Sequence, residues 1–347
     1  MRYAGLDVHK RCTQICIQEE DGVLYERRIL TERYRLIEEF GKRPKMRMLI
    51  EASTESEWVA RCLEELGHEV IVGDPNYGPM YAQRSRRVKT DKRDAHALLE
   101  ACKLGAYKAA HRCSDANKRV RARIAIRDSL VMTRTKFISL VRSFLRQEGI
   151  KPERKSSATF TRRVRLLGEV PASLAIEIAP MLDAIDVLSK KIRDADEQVE
   201  QLAQAETPQR LMSCPGVGAI TAVAFLSQLD EPKRFKSAKQ VRAYLGLVPR
   251  EHSSGEKCSR GHITKQGGTR MRRLLVQAAW AVLRSRATLE AEPLRRWHAA
   301  VASRRGKYVA VVGLARRLAG ILFALWRDGT TFQPPALPPP APEATMA

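Results

Sequence analysis

The 347-residue sequence predicts an α/β domain, then a long helical middle of coiled-coil character, then a mainly α C-terminal section. Three observations predict it. Short apolar runs alternate with amphipathic segments over the first hundred residues. Apolar residues recur every seven positions through the middle, and arginine-bearing helical patterns follow a Pro-Gly-x-Gly turn in the last third.

Residues 2–8, 13–18 and 23–30 read as three strands, with Asp21-Gly22 a hairpin signal between the second and third. Residues 32–41 suit a helix, and 46–50 a fourth strand that delivers Glu51 at its end. An amphipathic helix over 56–66 closes at Gly67, a fifth strand follows over 69–72, and a helix from about 91 to 104 completes the unit. The order β-β-β-α-β-α-β is a hairpin-led α/β sheet. No G-x-G-x-x-G follows the first strand, which argues against a dinucleotide-binding unit.

From about 115 to 165 the chain holds 15 Lys/Arg against 4 Asp/Glu, a net of +11. Ile124, Val131, Ile138 and Leu145 recur every seven residues beside a row of Leu130, Phe137 and Phe144, as in one long helix with a buried stripe. Arg119, Arg123 and Arg127, spaced by four, predict a face for nucleic acid, with a solvated surface as the alternative. Over 182–202, Ile185, Ile192 and Val199 share one heptad position and Leu188, Ala195 and Leu202 the other. That pattern fits a helical hairpin or a short coiled coil through which chains self-associate.

The third section begins near Pro208. Pro215-Gly216-Val217-Gly218 precedes an apolar helix, as in a helix-hairpin-helix, where the backbone N–H groups at Gly216 and Gly218 can meet a phosphate; an ordinary interhelical turn reads the same way. A polar loop is expected over 250–268 and a helix over about 269–287 carrying Arg270, Arg272 and Arg273. The expected domains are 1–110, 111–207 and 208–330, with a Pro-rich tail over 331–347 too poor in apolar residues to form a core.

Charge narrows the partners. With 62 Lys+Arg against 39 Asp+Glu the formal net charge is +23, an excess that a polyanionic partner neutralises. The seven cysteines form no C-x-x-C pair, which argues against a disulfide framework and a structural zinc. No stretch reads as the ~20 apolar residues of a membrane span and no long apolar segment opens the chain. A cytoplasmic protein of a prokaryotic cell, with no membrane partner, is therefore expected.

Four carboxylates carry the chemistry. Asp7 lies near the end of an apolar strand, where an ionised side chain is costly unless it is paired or binds a cation. Glu51 ends another strand, and Asp91 and Asp94 stand three apart on one helix face, within an RNase H-like strand order. Mg²⁺ or Mn²⁺ would relieve their mutual repulsion, and two such ions can activate the attacking oxygen of a phosphodiester exchange and stabilise the leaving one.

Gly5-Leu6-Asp7-Val8-His9-Lys10, Ile50-Glu51-Ala52-Ser53 and Lys89-Thr90-Asp91-Lys92-Arg93-Asp94-Ala95 together resemble the DEDD transposases, the insertion-sequence family that includes the Piv DNA invertase. Pro215-Gly216-Val217-Gly218, Tyr244-Leu245-Gly246-Leu247-Val248-Pro249-Arg250, Ser254-Gly255 and Ile263-Thr264-Lys265-Gln266-Gly267 extend the resemblance over roughly 1–330. It implies a RuvC-like N-terminal domain with Asp7, Glu51, Asp91 and Asp94 as the metal tetrad. It also implies a C-terminal domain whose Ser-Gly serine attacks DNA to form a phosphoserine link; by position this is Ser254, with Ser253 adjacent. Lys257, Arg260, Lys265 and Arg270 are then candidates for clamping phosphates, while His9 and Lys10, which follow Asp7, are candidates to touch substrate, a structural role being the reading preferred for His9 as a lone histidine. The resemblance further implies DNA as substrate, a structured guide RNA, and a homo-oligomer (dimer or tetramer) in which one subunit's metal site meets another's serine. The competing readings are a metal-dependent junction-resolving or RNase H-like nuclease without serine chemistry, and a non-catalytic nucleic-acid-binding protein.

Overall fold

The computed structural model describes residues 2–19, 21–82, 90–153, 156–254, 257–284 and 289–334, with backbone alone over 252–260. The chain divides into two compact units, Met1–Cys113 and Ser114–Ala347.

The first unit is built on strands β1 (Arg2–Val8), β2 (Cys12–Gln18) and β3 (Leu24–Leu30), helix α1 (Arg33–Phe40), strand β4 (Met46–Glu51), helix α2 (Ser56–Glu65), strand β5 (Glu69–Gly73) and helix α3 (Asp91–Leu104). Their sheet order is β3-β2-β1-β4-β5. β1, β2 and β3 form an antiparallel meander, and β4 and β5 extend it in parallel from β1. Strand alternation sorts the side chains to two faces. Ala4, Leu6, Val8, Met48 and Ile50 meet Leu36, Phe40, Val59 and Leu63 of α1 and α2 in one core. On the other face, Leu49 and Cys16 pack under Ala95, Leu98 and Leu99 of α3.

Gly5 explains how closely α3 lies on this second face. A Cβ at Gly5 would run into the α3 backbone at Ala95 O and Leu99 N. A side chain there must push α3 off the sheet, so Gly5→Ala is expected to destabilise the chain by about 2–3 kcal/mol, read from urea melts.

The second unit contains helices α4 (Asp115–Gln147), α5 (Phe160–Arg165), α6 (Ala172–Ala203), α7 (Glu206–Met212), α8 (Ala219–Leu229) and α9 (Ala238–Tyr244). Strands β6 (Pro249–Ser254) and β7 (Lys257–Ile263) follow, then helices α10 (Thr269–Arg284), α11 (Glu292–Arg305) and α12 (Lys307–Asp328). The long helix predicted to run through 165 stops at Gln147, where Gly149, at φ 77°, and Pro152 turn the chain. α4 and α6 lie antiparallel: Arg127 meets Asp196 and Arg134 meets Ser189, while Ile138, Val141 and Leu145 pack with Ile178, Leu182 and Ile185. The apolar seam of α6 is thus filled from within the chain. At its other end, Ile124, Val199 and Ala203 join the core of α8, α10 and α12, so residues 111–207 do not stand apart from the C-terminal helices.

Two expectations are corrected here. Residues 250–268 are not simply a polar loop: β6 and β7 form an antiparallel ribbon across most of them. Its sequence is polar at both alternating positions, so it lacks the apolar alternation by which a half-buried strand is recognised. In addition, α12 is long and apolar enough, by length and composition, to cross a membrane. Arg316 and Arg317 interrupt it in sequence, and Leu314, Leu318, Leu322 and Phe323 are buried in the unit's core, so its apolar character is accounted for by packing. The Pro-rich residues 335–347 lie outside the described residues. Among the described residues no cysteine is in a disulfide; burial pushes the Cys102 and Cys214 thiols up to about 12.

Candidate functional site

Parallel pairing aligns Leu6 of β1 with Ile50 of β4, so Asp7 and Glu51 fall next along at one level and on one face. Gly5 and Asp7 share that face, and the close approach of α3 at Gly5 brings its N-terminus over Asp7. The helix begins where it does because Thr90, in an extended conformation, caps it by accepting from Arg93 N at 3.3 Å. Asp91 and Asp94 then occupy the first turn, where the helix dipole favours negative charge. Lys92 holds this end of α3 to β3 through Glu26 at 2.9 Å.

The result is a concentrated acidic centre. Asp7 and Asp94 are each 6% exposed, Glu51 is half-buried and Asp91 is open to solvent on one side. Burial raises the Asp7 carboxyl above its ordinary value; His9 opposes the rise, while Asp94, Asp91 and Glu51 add to it. Asp94, Asp91 and Glu51 therefore each act on Asp7, but Glu51 and Asp94 do not join the group of donor atoms that could share one ion. His9, read from sequence as structural, points into the centre: its Nε2 is 3.1 Å from Asp7 Oδ2 and 3.6 Å from Asp91 Oδ1. One donor atom each from Asp7, His9 and Asp91 fits within a 4.8 Å span. Oxygen-rich donors, crowded charge and a raised carboxyl fit a hard divalent cation. His9 stands two residues past Asp7, in the turn that follows β1, and its ring reaches back to the Asp7 carboxylate.

Beside this centre a groove of about 450 Å³ is lined by Gln14, Arg28, Asp91 and Lys92, among others. Arg28 Nη2 lies 3.8 Å from Asp91 Oδ2. The groove therefore carries both signs of charge, Arg28 and Lys92 beside Asp91 and Glu26.

The sequence-predicted residues of the second unit divide between surface and scaffold. Arg119 and Arg123 are exposed on α4, whereas Arg127 is half-buried and bonded to Asp196 at 2.7 Å. Steps of four advance ~40° around a helix, so a third member eight residues on has turned ~80°, here into the α6 seam. Arg270 is likewise engaged, donating to the buried Asp128 at 2.8 Å, and Arg273 joins the same carboxylate at 2.5 Å. Asp128→Ala is expected to lower stability by about 2 kcal/mol in thermal melts. The same change frees two arginines, so polyanion affinity should hold or rise.

Gly216, at φ 80°, is packed against α10; a Cβ there would meet Ala278 O and Val282, so its identity is explained by packing. Gly218 is exposed and caps α8. Lys265 is exposed at φ 57°. The backbone of Ser253 and Ser254 closes β6, Ser253 pairing with Cys258 and Ser254 with Lys257 of β7. The side chains of Ser253, Ser254, Lys257 and Arg260, and all of Gly255, lie outside the described residues. The base of this ribbon is closely tied. Thr264 N donates to Val248 O at 2.8 Å and Lys265 N to Gly246 O at 3.1 Å. Buried Arg272 donates to the carbonyls of Gln266, Gly267 and Leu245 at 2.5, 3.1 and 3.3 Å. Gly246 and Gly267, at φ 67° and 70°, leave no room for a Cβ between these two segments.

Comparison with known proteins identifies the family, one of the two matches running past Cys113 into the second unit. A transposase family model matches residues 4–150, and the model described as "Transposase IS116/IS110/IS902 family" matches residues 208–292. The chain is 30% identical to the probable family 20 transposase of Pseudomonas aeruginosa, over 95% of this chain and 98% of that protein. It is 28% identical to the transposase for insertion sequence element IS1111A of Coxiella burnetii, over 96% and 92%. The transposase for insertion sequence element IS1328 of Yersinia enterocolitica is also 28% identical, over 94% and 97%. A relative 30% identical over nearly the whole of both chains, together with the two family models, decides the family: the chain belongs to the IS116/IS110/IS902 family of transposases.

Proposed function

We propose that this transposase recombines DNA by serine-based strand exchange at a divalent-cation centre, guided by a structured RNA. The observation that carries the reading is the grouping of Asp7, His9 and Asp91 within 4.8 Å, with Asp94 and Glu51 placed to raise the buried Asp7 carboxyl. The first unit is read as RuvC-like, with Asp7, Glu51, Asp91 and Asp94 as the residues that hold Mg²⁺ or Mn²⁺. When bound, the ions supply Lewis-acid polarisation of the phosphate and of the attacking and leaving oxygens.

The chain's own residues do the remaining work. The burial of Asp7 and Asp94 makes their charge effective by excluding water, and Arg28 and Lys92 at the groove attract the phosphate backbone. The Ser254 hydroxyl attacks phosphorus: the serine O–P bond forms as the P–O bond to the departing strand breaks. The hydroxyl gives up its proton to a base, and the departing oxygen takes one. The phosphoserine ester retains the bond energy, so a hydroxyl from a second strand reverses the step and rejoins DNA. The net charge of +23 supports DNA as partner, and exposed Arg119 and Arg123 support RNA along α4. A homo-oligomer follows from the family reading.

The full chain, incubated with DNA bearing the element's ends, divalent cation and its co-purifying cellular RNA, is expected to yield rejoined DNA. Equal yield after ribonuclease treatment would remove RNA guidance. Absence of joined product in every combination would remove the recombinase reading.

A further inference from the structure

The acidic centre contains a donor that the four-carboxylate scheme leaves unused. His9 lies in the turn between β1 and β2, and its main chain is held in place. Its N–H donates to Cys12 O at 3.0 Å, and its carbonyl accepts from Thr31 Oγ1 at 2.8 Å. The Thr31 hydroxyl is in turn bonded to that of buried Thr13 at 2.9 Å. A turn tied to the sheet in this way fixes where the imidazole starts, and restricts where Nε2 can reach.

Nε2 reaches the carboxylates. Adjacent donors around an octahedral ion at ~2.1 Å stand about 3 Å apart. The separation of His9 Nε2 from Asp7 Oδ2 is 3.1 Å, that of neighbouring ligands, and Asp91 Oδ1 is 3.6 Å away on the other side. The three atoms fit within 4.8 Å of one another with no backbone movement.

We propose that His9 is a further ligand of the cation site, through Nε2, and that it biases the site toward Mn²⁺ over Mg²⁺. This rests on the cation-binding role proposed above for Asp7. Imidazole is a borderline donor that suits transition ions, whereas Mg²⁺ takes oxygen donors and gives up its water reluctantly. Carboxylates alone separate the two ions weakly; one nitrogen donor at ligand distance adds the discrimination. If His9 only steadied Asp7 by a hydrogen bond, its loss would weaken both ions alike.

The test is metal binding by the full chain, independent of turnover. Mn²⁺ is titrated and followed by the paramagnetic resonance signal of the free ion, with Mg²⁺ as competitor. His9→Gln is expected to lower Mn²⁺ affinity about ten- to a hundredfold while Mg²⁺ affinity stays within about threefold. Bound Mn²⁺ should show hyperfine coupling to a histidine nitrogen in the parent chain and none in His9→Gln. The imidazole is 55% exposed, so the substitution opens no core, and a circular dichroism melt verifies the fold. An unchanged Mn²⁺/Mg²⁺ ratio, or no nitrogen coupling in the parent, overturns the proposal. If Asp7→Asn nevertheless abolishes binding, the cation site itself still stands. A parent chain that binds neither ion overturns both readings together.

Discussion

Asp7→Asn is expected to reduce strand joining on the order of a thousandfold or more, and to make the metal-free chain more stable. The first effect follows from removing one preorganised charge from the reacting centre. The second follows from the raised Asp7 carboxyl, which burial and then three neighbouring carboxylates hold above its ordinary value against the pull of His9. A raised acid keeps its proton in the folded chain at a pH where the unfolded chain has released it. Its stabilising contribution is therefore complete below the ordinary carboxylate value and is lost as pH rises through the raised one. Near neutrality the metal-free fold carries this penalty, and asparagine removes it. Thermal melts in chelator at pH 7 should show Asp7→Asn melting roughly a few degrees above the parent. With saturating divalent cation the order reverses, because the parent alone gains linkage from binding. Identical melts in chelator and in cation would show that no ion is held at Asp7.

Ser254→Ala carries the other large effect. Loss of an enzyme nucleophile costs on the order of 10⁴-fold or more, and here the covalent protein–DNA adduct should vanish as well. Denaturing gels of reactions with end-labelled DNA read both quantities. Ser253→Ala, one residue earlier on β6, should leave adduct and joining within about threefold. The opposite pattern would move the nucleophile to Ser253. Undiminished cleavage with both serines replaced would favour a nuclease that needs the carboxylates alone. DNA binding should survive each change, which separates lost chemistry from lost substrate.

Sequence reasoning read the first unit well because its signals are local. The five strands announce themselves by short apolar runs and Asp21-Gly22 by turn chemistry. Two kinds of feature escaped it. The ribbon of β6 and β7 has no apolar alternation, so nothing in its composition distinguishes it from a loop. The partners of Arg127 and Arg270, Asp196 and Asp128, are 69 and 142 positions away in sequence. A basic residue's partner at that distance is fixed by tertiary packing, which local periodicity does not encode. His9 shows the same limit: in sequence it stands beside a single carboxylate, and only the placing of α3 over β1 gives it a second acidic neighbour.

The tie between Gly246, Gly267 and Arg272 gives the β6–β7 ribbon, an arm of two paired strands, a fixed footing. Along such an arm, distance from the base is counted in residues: deleting one cross-strand pair draws the end back by about 3.3 Å and turns its side chains to the opposite face. Reach and facing at the far end are thus adjustable by length alone, in steps, without disturbing the helices at the root.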